Sequence, residues 1–245
     1  MSATRLRIQP PVTAPAASLN TLLSAITNAN ARPDRPAPRL LAVSKTRSAE
    51  EIATLAAAGQ RAFGENYVQE ALPKIEALRP LGLEWHLIGH LQSNKAREAA
   101  RAFDWIQTVD RLKLVEALDR HRPAEAAPLN VLIQVNIDDE ASKHGCRPEE
   151  IPTLAEAIAA HPRLRLRGLM AIPAPHPDMA RRRAAFRAMS ALFDTLAGRW
   201  PGIDTLSMGM SEDYSVAIEE GATLVRIGTA LFGPRPAKPR KDSTP

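Results

Sequence analysis

The feature that most constrains this chain is an alternation. From about residue 40 onward, short apolar runs give way to segments whose apolar residues return every three or four positions, and the switch repeats around the chain. The runs Leu40 to Val43, Arg61 to Gly64, Glu84 to Ile88, Trp105 to Val109, Val131 to Asn136, Leu166 to Ile172, Thr205 to Ser207 and Leu224 to Ile227 read as eight strands. The segments 48–58, 66–79, 94–102, 111–121, 150–160, 178–197 and 212–220 read as helices, and one more helix is expected over 17–31, ahead of the first strand. Strict strand–helix alternation implies a parallel sheet with helices packed on it. Eight such units in roughly 190 residues favour an α/β fold of the closed (β/α)8 TIM-barrel type over an open, doubly wound sheet. No Gly-x-Gly-x-x-Gly follows the first run and no Walker lysine motif is present, which lowers the nucleotide-binding alternatives.

Punctuation agrees with these elements. Ser48 with Glu51 and Asn66 with Gln69 have the spacing of capping boxes, and Asp178 stands ahead of the longest helical stripe. Gly59 and Gly221 fall where helices should stop. Pro73 lies inside the second stripe, so a kink there, or a break with Pro73 starting a second turn, is expected.

The chain of 245 residues has room for one barrel domain, expected over 16–233, with a loose leader over 1–15 and a disordered basic tail over 234–245. Apolar residues make up 44% and charged residues 24%, the mix of a soluble globular protein, while only 4% aromatics leave the core to Leu, Ile, Val and Ala. The net charge of +5 is a weak pointer to phosphate-bearing ligands or nucleic acid. Nucleic acid is the weaker partner, because no zinc-finger or RNA-recognition motif accompanies the charge. The single cysteine, Cys146, excludes an intrachain disulfide and a cysteine-based zinc cluster, and points to a reducing compartment. Pro10, Pro11 and Pro15 interrupt the place of a secretory segment, and no run of 18 apolar residues occurs, so a cytoplasmic protein with no membrane partner is expected.

Ligands of such barrels bind at the C-terminal ends of the strands. The first run ends in Ser44, Lys45 and Thr46; a rim lysine whose neutral amine is favoured by an apolar floor suits imine formation with an aldehyde, although a solvated strand-end lysine reads the same alone. The seventh ends in Ser207, Met208, Gly209, Met210 and Ser211, and the eighth in Arg226, Ile227, Gly228 and Thr229. Glycines and hydroxyls after strands 7 and 8 suit a phosphate platform, against the alternative of tight turns and helix caps. Arg226 either meets the nitrogen of a cofactor ring or contacts phosphate or a carboxylate. Asn66 is a candidate donor as well as a candidate cap, and His86 points either into the barrel mouth or into the core. His90, Gln92, Ser93, Asn94 and Lys95 form a polar loop, suited to a lid, an anion contact or a capping role. The histidines at 121, 144, 161 and 176 show no ligand spacing, so no metal site is predicted.

The segments AVSKT (42–46), FGENYVQE (63–70), WHLIGHLQSNK (85–95), LIQVNIDDEASKHG (132–145), LRGLMAI (166–172) and LSMGMSEDYSVAIEEGATLVRIGTALFG (206–233) resemble, in order, the pyridoxal phosphate homeostasis proteins, relatives of the alanine racemase N-terminal barrel. The resemblance implies pyridoxal 5'-phosphate as cofactor, held as a Schiff base on Lys45. Ser207, Gly228 and Thr229 would surround the phosphate with Met208 and Gly209 in the same loop, Arg226 would meet the ring nitrogen, and Asn66 the ring hydroxyl. Tyr214 and Ser215 depart from the Met-Glu-like pair expected there. No counterpart of the racemases' second domain, which supplies an opposing acid/base, is expected after Gly233. The resemblance therefore implies a monomeric protein that buffers cofactor or delivers it to recipient apoenzymes, with no catalytic residue. A racemase or lyase of low activity is the alternative.

Overall fold

The computed structural model describes residues 14–29, 31–138, 140, 144–174 and 176–233, leaving the expected tail and most of the expected leader outside the described residues. Its strands β1 (Arg39–Val43), β2 (Ala62–Glu65), β3 (Glu84–Leu87), β4 (Trp105–Val109), β5 (Leu129–Gln134), β6 (Leu164–Met170), β7 (Thr205–Ser207) and β8 (Leu224–Ile227) form a closed barrel in sequence order. All pairs are parallel, and β8 returns to β1 with Leu41 opposite Arg226 and Ala42 opposite Ile227.

The helices described are α1 (Ala14–Asn28), α2 (Ala49–Ala57), α3 (Val68–Ala77), α4 (Ala96–Ala102), α5 (Leu112–His121), α6 (Ile151–Ala159), α7 (Met179–Arg199), α8 (Tyr214–Glu219) and α9 (Thr229–Phe232). α1 begins three residues earlier than expected, inside the segment read as leader. It buries Leu19, Leu22 and Ile26 and packs on β1, α2 and α9. Because α9 is a single turn, α1 fills the gap it leaves in the outer ring.

Side chains alternate across each strand. Phe63, Trp85, Ile106, Leu206 and Val225 face the helix layer in one large cluster. Leu41, Ala62, Ile88 and Leu224 form a second cluster, and Trp105, Leu132 and Met170 a third. These two small clusters belong to the inward-facing set, and polar residues complete it.

β5 and β6 each lie two residues earlier than the apolar runs suggested, with Leu129 opposite Leu164 and Gln134 opposite Met170. Pairing, not hydropathy, ends a strand: beyond Gln134, Val135 bridges Cys146 instead. The Ser48–Glu51 capping box and the Asp178 cap are present. Asn66 is not a cap, because α3 starts one residue later with Tyr67 at the N-cap and no side-chain bond there. α3 also runs through Pro73 without a break. Pro73 and Gln69, whose carbonyl Pro73 cannot bond, are both exposed.

Candidate functional site

A cavity of about 270 Å³ opens at the C-terminal end of the barrel. Val43, Ile88 and Ile172 give it apolar walls; Lys45, Asn66, Arg226, Ser211 and Thr229 supply polar atoms; Gly228 forms part of the wall. Five of the residues singled out from sequence, Lys45, Asn66, Arg226, Gly228 and Thr229, thus converge on one space. Strand alternation explains the first two, since Lys45 continues the inward face of Val43, and Asn66 that of Gly64.

The loop bearing Lys45 is held from below by a buried ion pair. Lys74 Nζ lies 2.9 Å from Glu65 Oε1 and 2.9 Å from Glu70 Oε1, and it donates to the Ser44 carbonyl at 3.1 Å. Ser44 Oγ donates to the same Glu65 oxygen at 2.6 Å, and the Thr46 amide donates to Glu70. Burial pushes the Glu65 carboxyl up from its ordinary value, with the bonds from Ser44 and Lys74 opposing it. Neither Glu65 nor Lys74 emerged from the sequence reading. The available signal was a carboxylate directly after the apolar Ala62–Phe63–Gly64 run, with a lysine nine residues on.

Arg226 is buried beneath the cavity. Its Nη1 donates to Ser207 Oγ at 2.7 Å and its Nη2 to the Ala171 carbonyl at 2.8 Å. Burial brings its pKa down to about 10, opposed by Asp213, so the guanidinium keeps its charge at neutral pH. From there a chain of hydrogen bonds crosses the barrel interior. Ser207 Oγ donates to Gln107 Oε1 at 2.7 Å, Gln107 Nε2 to His86 Nδ1 at 2.9 Å, and His86 Nε2 to Glu84 Oε1 at 2.8 Å. Arg39 closes the chain on that oxygen at 2.7 Å. Each group uses a donor toward one neighbour and an acceptor toward the other, which requires His86 neutral with its proton on Nε2. Burial acts in the same direction, lowering the His86 pKa against the pull of Glu84.

Four expected site residues, His86, Ser207, Met208 and Gly209, do not line the cavity. His86 does not reach the mouth. It is wholly buried one inward layer below Ile88, stacked on Trp105 with centroids 5.1 Å apart. Met208 faces outward into the barrel–helix cluster, because the alternation that turns Ser207 inward turns its neighbour away. Ser207 reaches the cavity only through Arg226. Gly209 acts on the backbone: its φ is +90°, a Cβ there would meet that of Ala217 at 2.5 Å, and its carbonyl accepts from the Arg226 amide at 3.0 Å. At Gly228 a Cβ would sit 3.1 Å from the Val43 carbonyl oxygen, on the wall of the cavity. Cys146 is buried and its thiol is pushed up to about 12 by burial, which removes it as a nucleophile.

The polar loop after β3 brings a pairing that linear spacing hides. His90 stacks on His144 with centroids 3.6 Å apart, close to Asp110. His144 therefore does have ligand-type neighbours, contributed by loops far apart in the chain.

Among the described residues no helix is long and apolar enough to cross a membrane. The family model described as "Alanine racemase, N-terminal domain" matches residues 18–236. A pyridoxal phosphate homeostasis protein of Escherichia coli K12 is 57% identical over 199 residues, covering 80% of this chain and 85% of that one. Its counterpart from Pseudomonas aeruginosa is 56% identical over 196 residues, with 80% and 84% covered. Among solved structures, PipY of Synechococcus elongatus with PLP bound superposes with a TM-score of 0.77 at 37% identity, covering 89% of this chain and 100% of that one. Alanine racemase from Corynebacterium glutamicum, at 21% identity and TM-score 0.63, shares the fold; 93% of this chain covers 63% of it.

Proposed function

Because the chain belongs to the pyridoxal phosphate homeostasis proteins, within the family of the alanine racemase N-terminal domain, we propose that it binds pyridoxal 5'-phosphate at the barrel mouth through Lys45 and holds or delivers it without substantial turnover. The single observation behind this reading is the make-up of the cavity. Among the described residues that line it, Lys45 is the one lysine, and no carboxylate, histidine, tyrosine or cysteine accompanies it. The nearby Lys74 bonds Glu65, Glu70 and the Ser44 carbonyl beneath the loop and does not line the cavity, so Lys45 is the lining amine that suits imine formation with an aldehyde.

The residues fit the cofactor's parts. Bound there, the cofactor would supply an aldehyde for covalent capture and a ring able to accept electrons. Val43, Ile88 and Ile172 offer apolar surface for a ring, and Asn66 a donor for its hydroxyl. Ser211, Thr229 and the Gly228 backbone offer donors for a phosphate, with no Cβ to narrow the approach at Gly228. Arg226, fixed by Ser207 and Ala171, presents a permanent charge that would leave a ring nitrogen unprotonated and so weaken the electron sink. Proton transfer at a bound amino acid usually needs an acid or base on each face, and this cavity provides one amine. Both features favour holding over turnover, with recipient apoenzymes as the destination of the cofactor.

Borohydride reduction of the yellow protein followed by peptide mapping is expected to place the pyridoxyl adduct on Lys45. Lys45→Ala should lose the visible absorbance with stability unchanged within about 0.5 kcal/mol. An adduct on Lys95 or Lys143 in the wild-type protein would overturn the assignment. Incubated with alanine or serine and followed by chiral chromatography, the holoprotein should show far less than the roughly 1 to 1000 turnovers per second of ordinary enzymes. Multiple turnovers per second would promote the racemase alternative.

A further inference from the structure

The loops after β3, β4 and β5 converge on three side chains that the cofactor site does not use. His90, Asp110 and His144 each offer one ligating atom, and these atoms all lie within 4.8 Å of one another. The two imidazoles stack at 3.6 Å with 12° between their planes. Asp110 Oδ2 stands 3.9 Å from His90 Nδ1, too far for a hydrogen bond, while Oδ1 takes the Arg111 guanidinium.

We propose that His90, Asp110 and His144 form a binding site for a divalent transition-metal cation of the zinc type. Two imidazole nitrogens and one carboxylate oxygen are a borderline-soft donor set suited to such ions, and three protein ligands leave coordination positions open. Bonds of about 2.0–2.2 Å place two ligand atoms roughly 3.5 Å apart on a tetrahedral ion, so the cluster must close by about an ångström and the stacked rings must splay. His144 is exposed and the His90 side chain is 30% exposed, so both rings have room to turn.

The backbone needs no such movement. Thr108 Oγ1 donates to the Gly89 carbonyl at 3.0 Å and Arg111 Nη2 to the Leu91 carbonyl at 2.9 Å, tying both neighbours of His90 to the segment that carries Asp110. On the other side Gln134 Nε2 donates to the His144 carbonyl at 3.1 Å, and Cys146 bonds through its backbone to Gln134 and Asn136 at 2.9 Å each. Such anchoring removes most of the ordering cost of binding an ion. The open positions would face a cavity of about 350 Å³ also lined by Gln92 and Lys95, and Asn66 lines both this space and the barrel mouth.

The test is titration of the full-length protein, stripped with chelator, with Zn2+ alone by calorimetry and with Co2+ by visible absorption. One ion per chain is expected, with an intense visible cobalt band from four- or five-coordination. His144→Ala and Asp110→Asn should each weaken binding at least about tenfold, and the double variant His90→Ala/His144→Ala should lose it and the cobalt band. A melting curve without metal checks that each variant is folded, and His144→Gln, which keeps a similar bulk, repeats the test if truncation perturbs the loop. The cofactor's visible absorbance should persist in the double variant, separating this site from the barrel mouth. No stoichiometric binding to the wild-type protein would overturn the proposal. So would wild-type affinity in the double variant, which would place the ion on histidines such as His121 or His161.

Discussion

The two ends of the barrel are both rich in charge, and they use it in opposite ways. At the N-terminal end, Arg39 pairs with Glu84, Glu84 with His86, and Arg167 with Asp204, while the Arg167 guanidinium lies 4.8 Å from the Trp105 ring centroid. The cavity left there is about 110 Å³. At the C-terminal end, Lys45 and Arg226 line a space more than twice as large, with no carboxylate among the described residues that line it. Charges paired with one another close one end, and cationic groups gathered around a cavity give the other a positive character. The Arg226–Ser207–Gln107–His86–Glu84 chain joins the two, so the cation at the mouth is oriented from the opposite end.

The largest effect should come from the support of the mouth. Lys74→Met leaves Glu65 buried without its cation and should cost about 3–5 kcal/mol in urea unfolding. A loss below about 1 kcal/mol would mean that the ion pair does not organise the Lys45 loop. Breaking the link between the ends comes next. Gln107→Leu strands the Ser207 hydroxyl and His86 Nδ1, for an expected loss of about 1–3 kcal/mol. The borohydride label should remain on Lys45 while the visible band changes, because Arg226 loses its orientation; an unchanged band would show that the chain serves stability alone.

The smallest effect belongs to the N-terminal end. Arg39 is half exposed, so Arg39→Ala should cost about 0–1 kcal/mol at pH 7. Its sign with pH sharpens the contrast. Burial raises the pKa of the Glu84 carboxyl, yet the bond from His86 and the charge of Arg39 outweigh it and hold the group near about 2. A carboxylate depressed in the folded state contributes stability above its ordinary value of 4.5, and that contribution is lost as pH falls toward about 2. Urea midpoints of wild type and variant should therefore converge between pH 5 and about 2. A difference that grew with acidity would assign the acid sensitivity elsewhere.

Periodicity was enough to read the fold. Eight apolar runs and the stripes between them correspond to the eight strands and the helices α2 to α8, and β4, β7 and β8 agree residue for residue. The misplacements have a common cause. β5 and β6 are bounded by mutual register, α1 begins in a proline-bearing segment, and α9 is one turn too short to show a period. Lys45, Arg226, Gly228 and Thr229 were legible because strand ends are local features and a barrel places all of them at one rim.

What the sequence determined by itself was the barrel, the rim lysine and the glycine- and hydroxyl-bearing ends of strands 7 and 8, since each rests on residues within a few positions of one another. Tertiary structure alone decided the rest. His86 was ambiguous until the inward layers were counted, because one step of two residues along a strand separates mouth from core. Asn66 could have capped a helix until that helix began a residue later. The hydrogen-bond chain under Arg226 and the meeting of His90 with Asp110 and His144 join residues from different βα units, while the Lys74–Glu65 pair links β2 to the helix that follows it. Local periodicity carries no information about which of these residues will touch, since their contacts exist only once the sheet has closed.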